Sequence, residues 1–328
     1  MKVILTSQER YGILKDYEPV FEKNGVELLR CEVNDYDAMA ELSKGAQVLM
    51  VYDGQINKAV IDRLDSSIKC ILSMYVGFDN IDVKAATARG IMVCNNPDYG
   101  MEEVAAMAIT LMLACNRKIK LYDLKMQQGI WDVEHLFEPY GSRRLSTMTL
   151  GVMGFGKIAR CAARMGLGLG MRVVAYDPYI PQEVFAQNGV EKAELDELYA
   201  QADAITIHIP LMDSTRHMVD AEAFSKMKDH VILVNTARGP LVHTPSLIEA
   251  LKSGKVAAAG LDVFDTEPLE PNHELHQFEN VILTPHIAYC TLESTADVDR
   301  LATELAICAA KGEVPYSCVN KRELGLQK

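Results

Sequence analysis

Three short segments carry side chains whose types suit one kind of chemistry. They are Asn235-Thr-Ala-Arg238-Gly-Pro, Asp262-Val-Phe-Asp-Thr-Glu267-Pro and Thr284-Pro-His286-Ile-Ala, and each follows a strand-like apolar run. A guanidinium can hold a carboxylate through two parallel hydrogen bonds. An imidazole titrates near neutral pH and can hand a proton to a carbonyl oxygen. A carboxylate beside that imidazole stabilises its charged form. Together the three groups suit reduction of a 2-oxo acid at the carboxyl ends of parallel strands, where open α/β sheets take their ligands. Taken singly, each has a plain structural explanation: a solvated loop arginine, a hydrogen-bonding histidine, a turn glutamate before proline.

A second pattern lies upstream. In Gly151-Val-Met-Gly154-Phe-Gly156-Lys-Ile-Ala159, the residues Gly154, Gly156 and Ala159 fit G-x-G-x-x-[GA] between a strand-like and a helix-like run. The first glycine permits a tight turn, the second lets backbone approach a pyrophosphate, and the small third residue lets helix pack on strand. The phosphates would sit at a helix N-terminus, where N–H groups and the helix dipole favour anions. Asp177 ends the next strand-like run, at the distance where a carboxylate holds ribose hydroxyls. It would repel a 2′-phosphate, and no arginine follows it, so the expected cofactor is NAD rather than NADP. The nearby Gly166-Leu-Gly168-Leu-Gly170 precedes a strand and is expected to be only a helix end and its connection.

The elements that must position these residues alternate in type. Strand-like runs at Val3–Leu5, Val26–Leu29, Ala46–Val51, Cys70–Leu72 and Ile91–Cys94 are separated by helix-like stretches near 17–23, 35–43, 57–64 and 82–88. A second alternating block has strand-like runs at Thr149–Met153, Arg172–Tyr176, Ala204–Ile207, Val231–Val234, Ala257–Leu261 and Val281–Leu283. Such alternation predicts parallel sheets covered by helices. Between the blocks, Met101 to Gln128 reads as one long buried helix, followed by a loop with Pro139 and Gly141. The stretch 291–310 is again helical.

Composition narrows the partners. Lys+Arg number 33 and Asp+Glu 45, a net charge of −12, so nucleic acid and anionic membrane are not expected as partners. The longest apolar run, Val104 to Cys115, falls short of the roughly 20 residues that span a bilayer. The opening MKVILT lacks the pattern of a signal peptide. The 8 cysteines form no C-x-x-C and read mostly as small buried hydrophobes in a reducing, cytoplasmic compartment. No metal site is expected: His273-Glu-Leu-His276 lacks the H-E-x-x-H spacing and a third ligand. His135, His217, His230 and His243 have no evident partner.

Six segments in order, VGFDNID (76–82), GVMGFGKIA (151–159), HIPLMDST (208–215), NTARGPLV (235–242), LDVFDTEP (261–268) and LTPHIA (283–288), resemble the D-isomer-specific 2-hydroxyacid dehydrogenase family over nearly the whole chain. GFDNID, NPDYG and VNKREL are similar to the branch that includes the C-terminal-binding-protein corepressors and their bacterial enzyme relatives. The resemblance implies Arg238 as the contact to substrate carboxylate and carbonyl, His286 as acid/base and Glu267 as its partner. It implies Thr236, Ala237 and Asp262 near the nicotinamide, Lys157 and Ile158 near the pyrophosphate, and His208 at the cofactor-side strand end near adenosine. Backbone at Val76 and Gly77 would meet the substrate carboxylate, and Tyr99 would line the cleft.

Two departures bear on the substrate. Many relatives carry an arginine and an extra glycine before the position of Gly77, whereas this chain reads Ser73-Met-Tyr75-Val-Gly77. That loss weakens the case for a phosphorylated or dicarboxylic substrate. Tyr289 stands where the corepressor-like branch tends to have tryptophan, and is a candidate for shaping the side-chain pocket.

The expected architecture is α/β with two doubly wound parallel-sheet domains. A discontinuous flavodoxin-like substrate domain would comprise 1–99 and 289–328, and a Rossmann NAD-binding domain 100–288, with the active site in the cleft between them. The expected activity is reversible hydride transfer between NADH and a short 2-oxo acid such as glyoxylate, hydroxypyruvate or pyruvate, in a homodimer. The alternative from another class is an NAD(H)-sensing scaffold like the corepressors, against which the acidic charge and absence of tails argue. A weaker alternative is 3-phosphoglycerate oxidation, against which the missing arginine and lack of an appended regulatory domain argue.

Overall fold

The structure, a computed structural model, describes residues 1–7, 13–134 and 140–326. His135 and Pro139 lie outside that set. The chain divides into two compact units, Met1–Gly100 with Thr291–Lys328, and Met101–Cys290.

The first unit holds β1 (Lys2–Thr6), β2 (Glu27–Cys31), β3 (Val48–Val51), β4 (Cys70–Ser73) and β5 (Met92–Cys94), paired in the order β2-β1-β3-β4-β5. Every pairing is parallel. The connecting helices are α1 (Glu18–Lys23), α2 (Tyr36–Leu42), α3 (Lys58–Arg63) and α4 (Val83–Ala88). Three of them start where an Asp or Asn side chain accepts a backbone N–H of the first turn: Asp35 from Ala38, Asn57 from Val60 and Asp82 from Ala85. The centres of β1, β3, β4 and β5 are buried, because both faces of a parallel sheet are covered, while the edge strand β2 is half-buried. One cover is the C-terminal helix Leu292–Ala310, capped by Thr291 and packed on β1, β3 and β4.

The second unit holds β6 (Thr149–Met153), β7 (Arg172–Tyr176), β8 (Glu191–Lys192), β9 (Ala204–Ile207), β10 (Val231–Asn235), β11 (Val256–Leu261) and β12 (Val281–Leu283). Their order is β12-β11-β10-β9-β6-β7-β8, all parallel. The chain winds outward from β6 in both directions, so the β6/β9 pair is the switch point where a doubly wound sheet opens a crevice. The helices are α5 (Met101–Asn116), α6 (Ile119–Gln127), α7 (Lys157–Gly168), α8 (Gln182–Gln187), α9 (Leu195–Gln201), α10 (Ala221–Lys226) and α11 (Thr244–Lys252). The glycine-rich stretch after Met165 is the end of α7 and its connection, with Gly170 left-handed at φ 78°.

The single helix expected over 101–128 is two. Lys118 adopts a left-handed φ of 52° and interrupts the hydrogen-bond ladder between α5 and α6. Only α5 is buried, packing on α7, β10 and β11, while α6 contributes no buried residue. The Lys120 ammonium, one residue into α6, donates to the carbonyls of Phe278 and Val281 and holds the new helix direction. The short, polar β8 was also absent from the sequence reading.

Helix α5 approaches β11 so closely that a Cβ on Gly260 would lie 2.7 Å from the Leu111 Cβ. Gly260→Ala is therefore expected to destabilise the second unit by about 1–3 kcal/mol, the usual cost of overpacking. Gly168→Ala, with open space at its Cβ, should change stability far less. Urea titration of both variants checks the contrast.

Candidate active site

The chemistry-bearing residues of the second unit stand at the carboxyl ends of six parallel strands. Gly154 follows β6, Asp177 β7, His208 β9, Thr236 to Arg238 β10, Asp262 β11 and His286 β12.

At the switch point the chain must turn where no side chain fits. Gly154 has φ 89°, its N–H donates to the Tyr176 carbonyl at 2.7 Å, and a Cβ there would lie 2.7 Å from the His208 carbonyl oxygen. Asp177 secures the turn: Oδ2 accepts from the Phe155 N–H and Oδ1 from the Tyr179 N–H, each at 2.9 Å. Gly156 begins α7 without a side-chain cap, and open space surrounds the position of its Cβ. Lys157 and Ile158 form the first turn of that helix, and Ala159 is buried beneath it. Across the turn, the His208 ring contacts the Thr206 hydroxyl at 3.0 Å. Burial pushes the His208 imidazole down to about 4, so the ring is neutral at pH 7.

The loop after β10 is closed by its own asparagine. The buried Asn235 side chain donates to the Arg238 carbonyl at 2.8 Å and accepts from the Ala237 N–H at 3.0 Å. Thr236 is buried, and its hydroxyl has no hydrogen-bond partner among the described residues. The half-buried Arg238 donates from Nη1 to the Ala237 carbonyl at 2.7 Å. Gly239 then passes against the loop after β11: a Cβ there would lie 2.0 Å from the Phe264 carbonyl carbon. Pro240 sits inside the 3-10 turn Gly239–Leu241, which suits its fixed φ.

Asp262 is the hub of the third segment. It is fully buried, and its carboxylate accepts from the Thr284 hydroxyl at 2.5 Å, the Ile287 N–H at 3.0 Å and the Ala288 N–H at 2.8 Å. Its carbonyl accepts the His286 N–H at 2.8 Å. His286 lies between these anchors with φ 54°, a left-handed backbone that few side chains adopt. Its Nδ1 stands 2.7 Å from Glu267 Oε2, while Glu267 Oε1 accepts the Phe264 N–H at 2.9 Å. Burial alone would raise the Glu267 carboxyl. The bonds from His286 and Phe264, with the charges of His286 and Arg238, outweigh it and hold the carboxyl below its usual range. Ionised at neutral pH, Glu267 can only accept, so Nδ1 carries the proton and Nε2 is the nitrogen able to exchange one.

These features accommodate a dinucleotide. A close-approach glycine turn, an uncapped helix start, a strand-end carboxylate and an orphaned buried hydroxyl lie on one edge of one sheet. The structure groups Gly154, Gly156, Lys157, Ile158, Asp177, His208, Thr236, Ala237, Arg238, Asp262, Glu267 and His286 on that edge. Asp262 serves the His286 loop: its carboxylate is engaged by the three donors named above. Val76, Gly77 and Tyr99 belong to the first unit, whereas the half-buried Tyr289 belongs to the second. Sequence reading missed Asn235 and Gly239. The signal for Gly239 was its place between the arginine and Pro240.

The family model described as "D-isomer specific 2-hydroxyacid dehydrogenase, NAD binding domain" matches residues 109–288. The glyoxylate reductase of Thermofilum pendens is 37% identical over 313 residues, covering 94% of this chain and 87% of that protein. The chain belongs to the D-isomer-specific 2-hydroxyacid dehydrogenase family. Another member, the D-3-phosphoglycerate dehydrogenase of Methanocaldococcus jannaschii, is 38% identical over 296 residues, and this chain spans about half, 55%, of its length. Among solved members, a glyoxylate reductase from Paecilomyes thermophila superposes with a TM-score of 0.88 at 28% identity, covering 98% of this chain and 99% of that one. A D-lactate dehydrogenase from Aquifex aeolicus, complexed with NAD and lactic acid, gives a TM-score of 0.83 at 28% identity, covering 95% and 96%. The family's NAD-binding domain is thus the second unit's sheet. Two of the remaining histidines bond backbone locally: His273 accepts the Leu275 N–H to start a 3-10 turn, and His230 bonds the Gly254 carbonyl. No cluster able to hold a metal ion occurs among the described residues, and no helix there is long and apolar enough to cross a membrane. Of the cysteines, Cys31, Cys70, Cys94 and Cys115 are buried, whereas Cys290 is exposed.

Asp262→Ala would leave three donors without their acceptor in a dry site. The expected cost is about 3 kcal/mol or more, measured by urea titration against wild type.

Proposed function

We propose that the protein is an NAD-dependent D-2-hydroxyacid dehydrogenase acting on a small 2-oxo monocarboxylate. The observation that carries this reading is the His286–Glu267 pair, 2.7 Å apart, beside Arg238 on the strand ends that also bear the glycine turn. The balanced reaction converts a 2-oxo acid, NADH and a proton to the 2-hydroxy acid and NAD. The bound nicotinamide supplies or accepts the hydride at C2. Every other part is assigned to the chain. Arg238 pairs with the substrate carboxylate and polarises the carbonyl. His286 Nε2 delivers the proton to the carbonyl oxygen, and the ionised Glu267 stabilises the imidazolium that forms in the reverse direction. Asp177 takes the ribose hydroxyls, and α7 with Lys157 and Ile158 takes the pyrophosphate. Thr236 and Ala237 line the nicotinamide, with His208 toward adenosine. In the first unit, Val76 and Gly77 are assigned to the substrate carboxylate through backbone N–H groups, and Tyr99 to its surroundings.

His286→Ala should lower kcat by about 100-fold or more, the usual loss when a general acid is removed, while calorimetry shows NADH still bound. Loss of NADH absorbance with a panel of 2-oxo acids reads the rate. If the variant turns over as fast as wild type, His286 is not the acid. If wild type binds NADH and reduces nothing, the scaffold reading takes its place.

The proposed protein partner is a second copy of the chain. Ile119 and Met126 on α6, with Ile130, Trp131 and Val133 after it, expose large apolar surface, Trp131 most of all at 77%. Trp131→Glu is expected to shift sedimentation from dimer toward monomer, and an unchanged dimer would place the interface elsewhere.

A further inference from the structure

Within the first unit, three neighbouring strands lead at their carboxyl ends into tyrosines. Tyr52 directly follows β3, Tyr75 lies two residues past β4, and Tyr99 lies five past β5. Their rings form a chain: Tyr52 and Tyr75 have centroids 5.5 Å apart at 57°, and Tyr75 and Tyr99 6.0 Å apart at 59°. Tyr99 is buried, and the other two are half-buried. This is the edge of a doubly wound sheet on which ligands are bound.

The backbone under the central ring is tied down. The Ser73 hydroxyl donates to the Gly77 carbonyl at 2.7 Å and accepts the Tyr75 N–H at 3.3 Å. The Asn95 side chain donates to the Val76 carbonyl at 2.7 Å, and the Asn96 side chain to the Met74 carbonyl at 3.2 Å. The Asn96 N–H donates to the Tyr75 carbonyl at 3.1 Å. Tyr75 is therefore held on a fixed platform next to Val76 and Gly77, so little freedom is lost when a ligand rests on it.

The charge in these loops has one sign. Residues 52–54, 74–80 and 95–100 contain Asp53, Asp79 and Asp98 and no lysine or arginine. Asp98 accepts the Tyr316 hydroxyl at 2.7 Å. A second anion on a substrate would meet the carboxylates of these three loops, whereas a flat uncharged group would meet aromatic faces.

Resting on the dehydrogenase reading above, we infer that the substrate is a 2-oxo monocarboxylate with an uncharged aromatic side chain, seated on Tyr75, against which Tyr52 and Tyr99 pack. This selects against the phosphorylated and dicarboxylic 2-oxo acids.

The test compares kcat/KM of the full chain with NADH for phenylpyruvate, glyoxylate, oxaloacetate and 3-phosphohydroxypyruvate. Phenylpyruvate is expected to exceed each of the others. Tyr75→Ala should lower the phenylpyruvate-to-glyoxylate ratio by up to about tenfold, the worth of one aromatic contact. Tyr75→Phe, which keeps the ring, should preserve the ratio and serves as the folded control, with melting temperature measured for both. Preference for either dianion, preference for glyoxylate over phenylpyruvate, or a ratio unmoved in Tyr75→Ala would overturn the inference while leaving the dehydrogenase reading intact. Failure to reduce any 2-oxo acid would sink both.

Discussion

A buried carboxylate sets the geometry of the strand-end loops that carry Arg238, Glu267 and His286. Asp262 has no access to water, and an isolated charge there would be prohibitive. It is tolerated because the Thr284 hydroxyl and the N–H groups of Ile287 and Ala288 converge on it. The same convergence folds the loop after β12 around its end and leaves His286 in a left-handed backbone between two anchored neighbours. The strain at His286 is thus borne by hydrogen bonds on either side. From that position its ring reaches Glu267, and the His286–Glu267 hydrogen bond follows from the hub.

Close approach without side chains is the second constraint. Gly154 lets the turn after β6 pass beside the His208 carbonyl, and Gly239 lets the arginine loop lie against the backbone at Phe264. The Gly239 contact brings the segment carrying Arg238 to the segment carrying Glu267, which explains how the Arg238 charge helps to hold the Glu267 carboxyl low. Substituting either glycine would move backbone, which is stiffer than any side chain.

Much of this was legible in the amino-acid order. Parallel strands buried on both faces read as short apolar runs, and the runs at 149–153, 172–176, 204–207 and 281–283 coincide with strands. The glycine turn, Asp177 and the Arg238, Glu267 and His286 segments could be located because each follows such a run. The break at Lys118 was not legible, since no glycine or proline marks it and the apolar pattern continues past it. The two-residue β8 has no apolar signature to find. The hub role of Asp262 was hidden for a different reason. An aspartate in a loop reads as a solvated charge, and its three donors come from residues more than twenty positions away. The place of Tyr52 beside Tyr75 was likewise hidden, because sheet order, not sequence distance, brings the rings together.

The central claim is that Glu267 holds His286 in the tautomer with its proton on Nδ1. Nitrogen-15 NMR of selectively labelled histidine, followed across pH with assignment by His286→Gln, reads this directly. The account predicts that Nδ1 stays protonated through the titration while Nε2 gains and loses the proton. A neutral ring protonated on Nε2, with Nδ1 titrating instead, would contradict it.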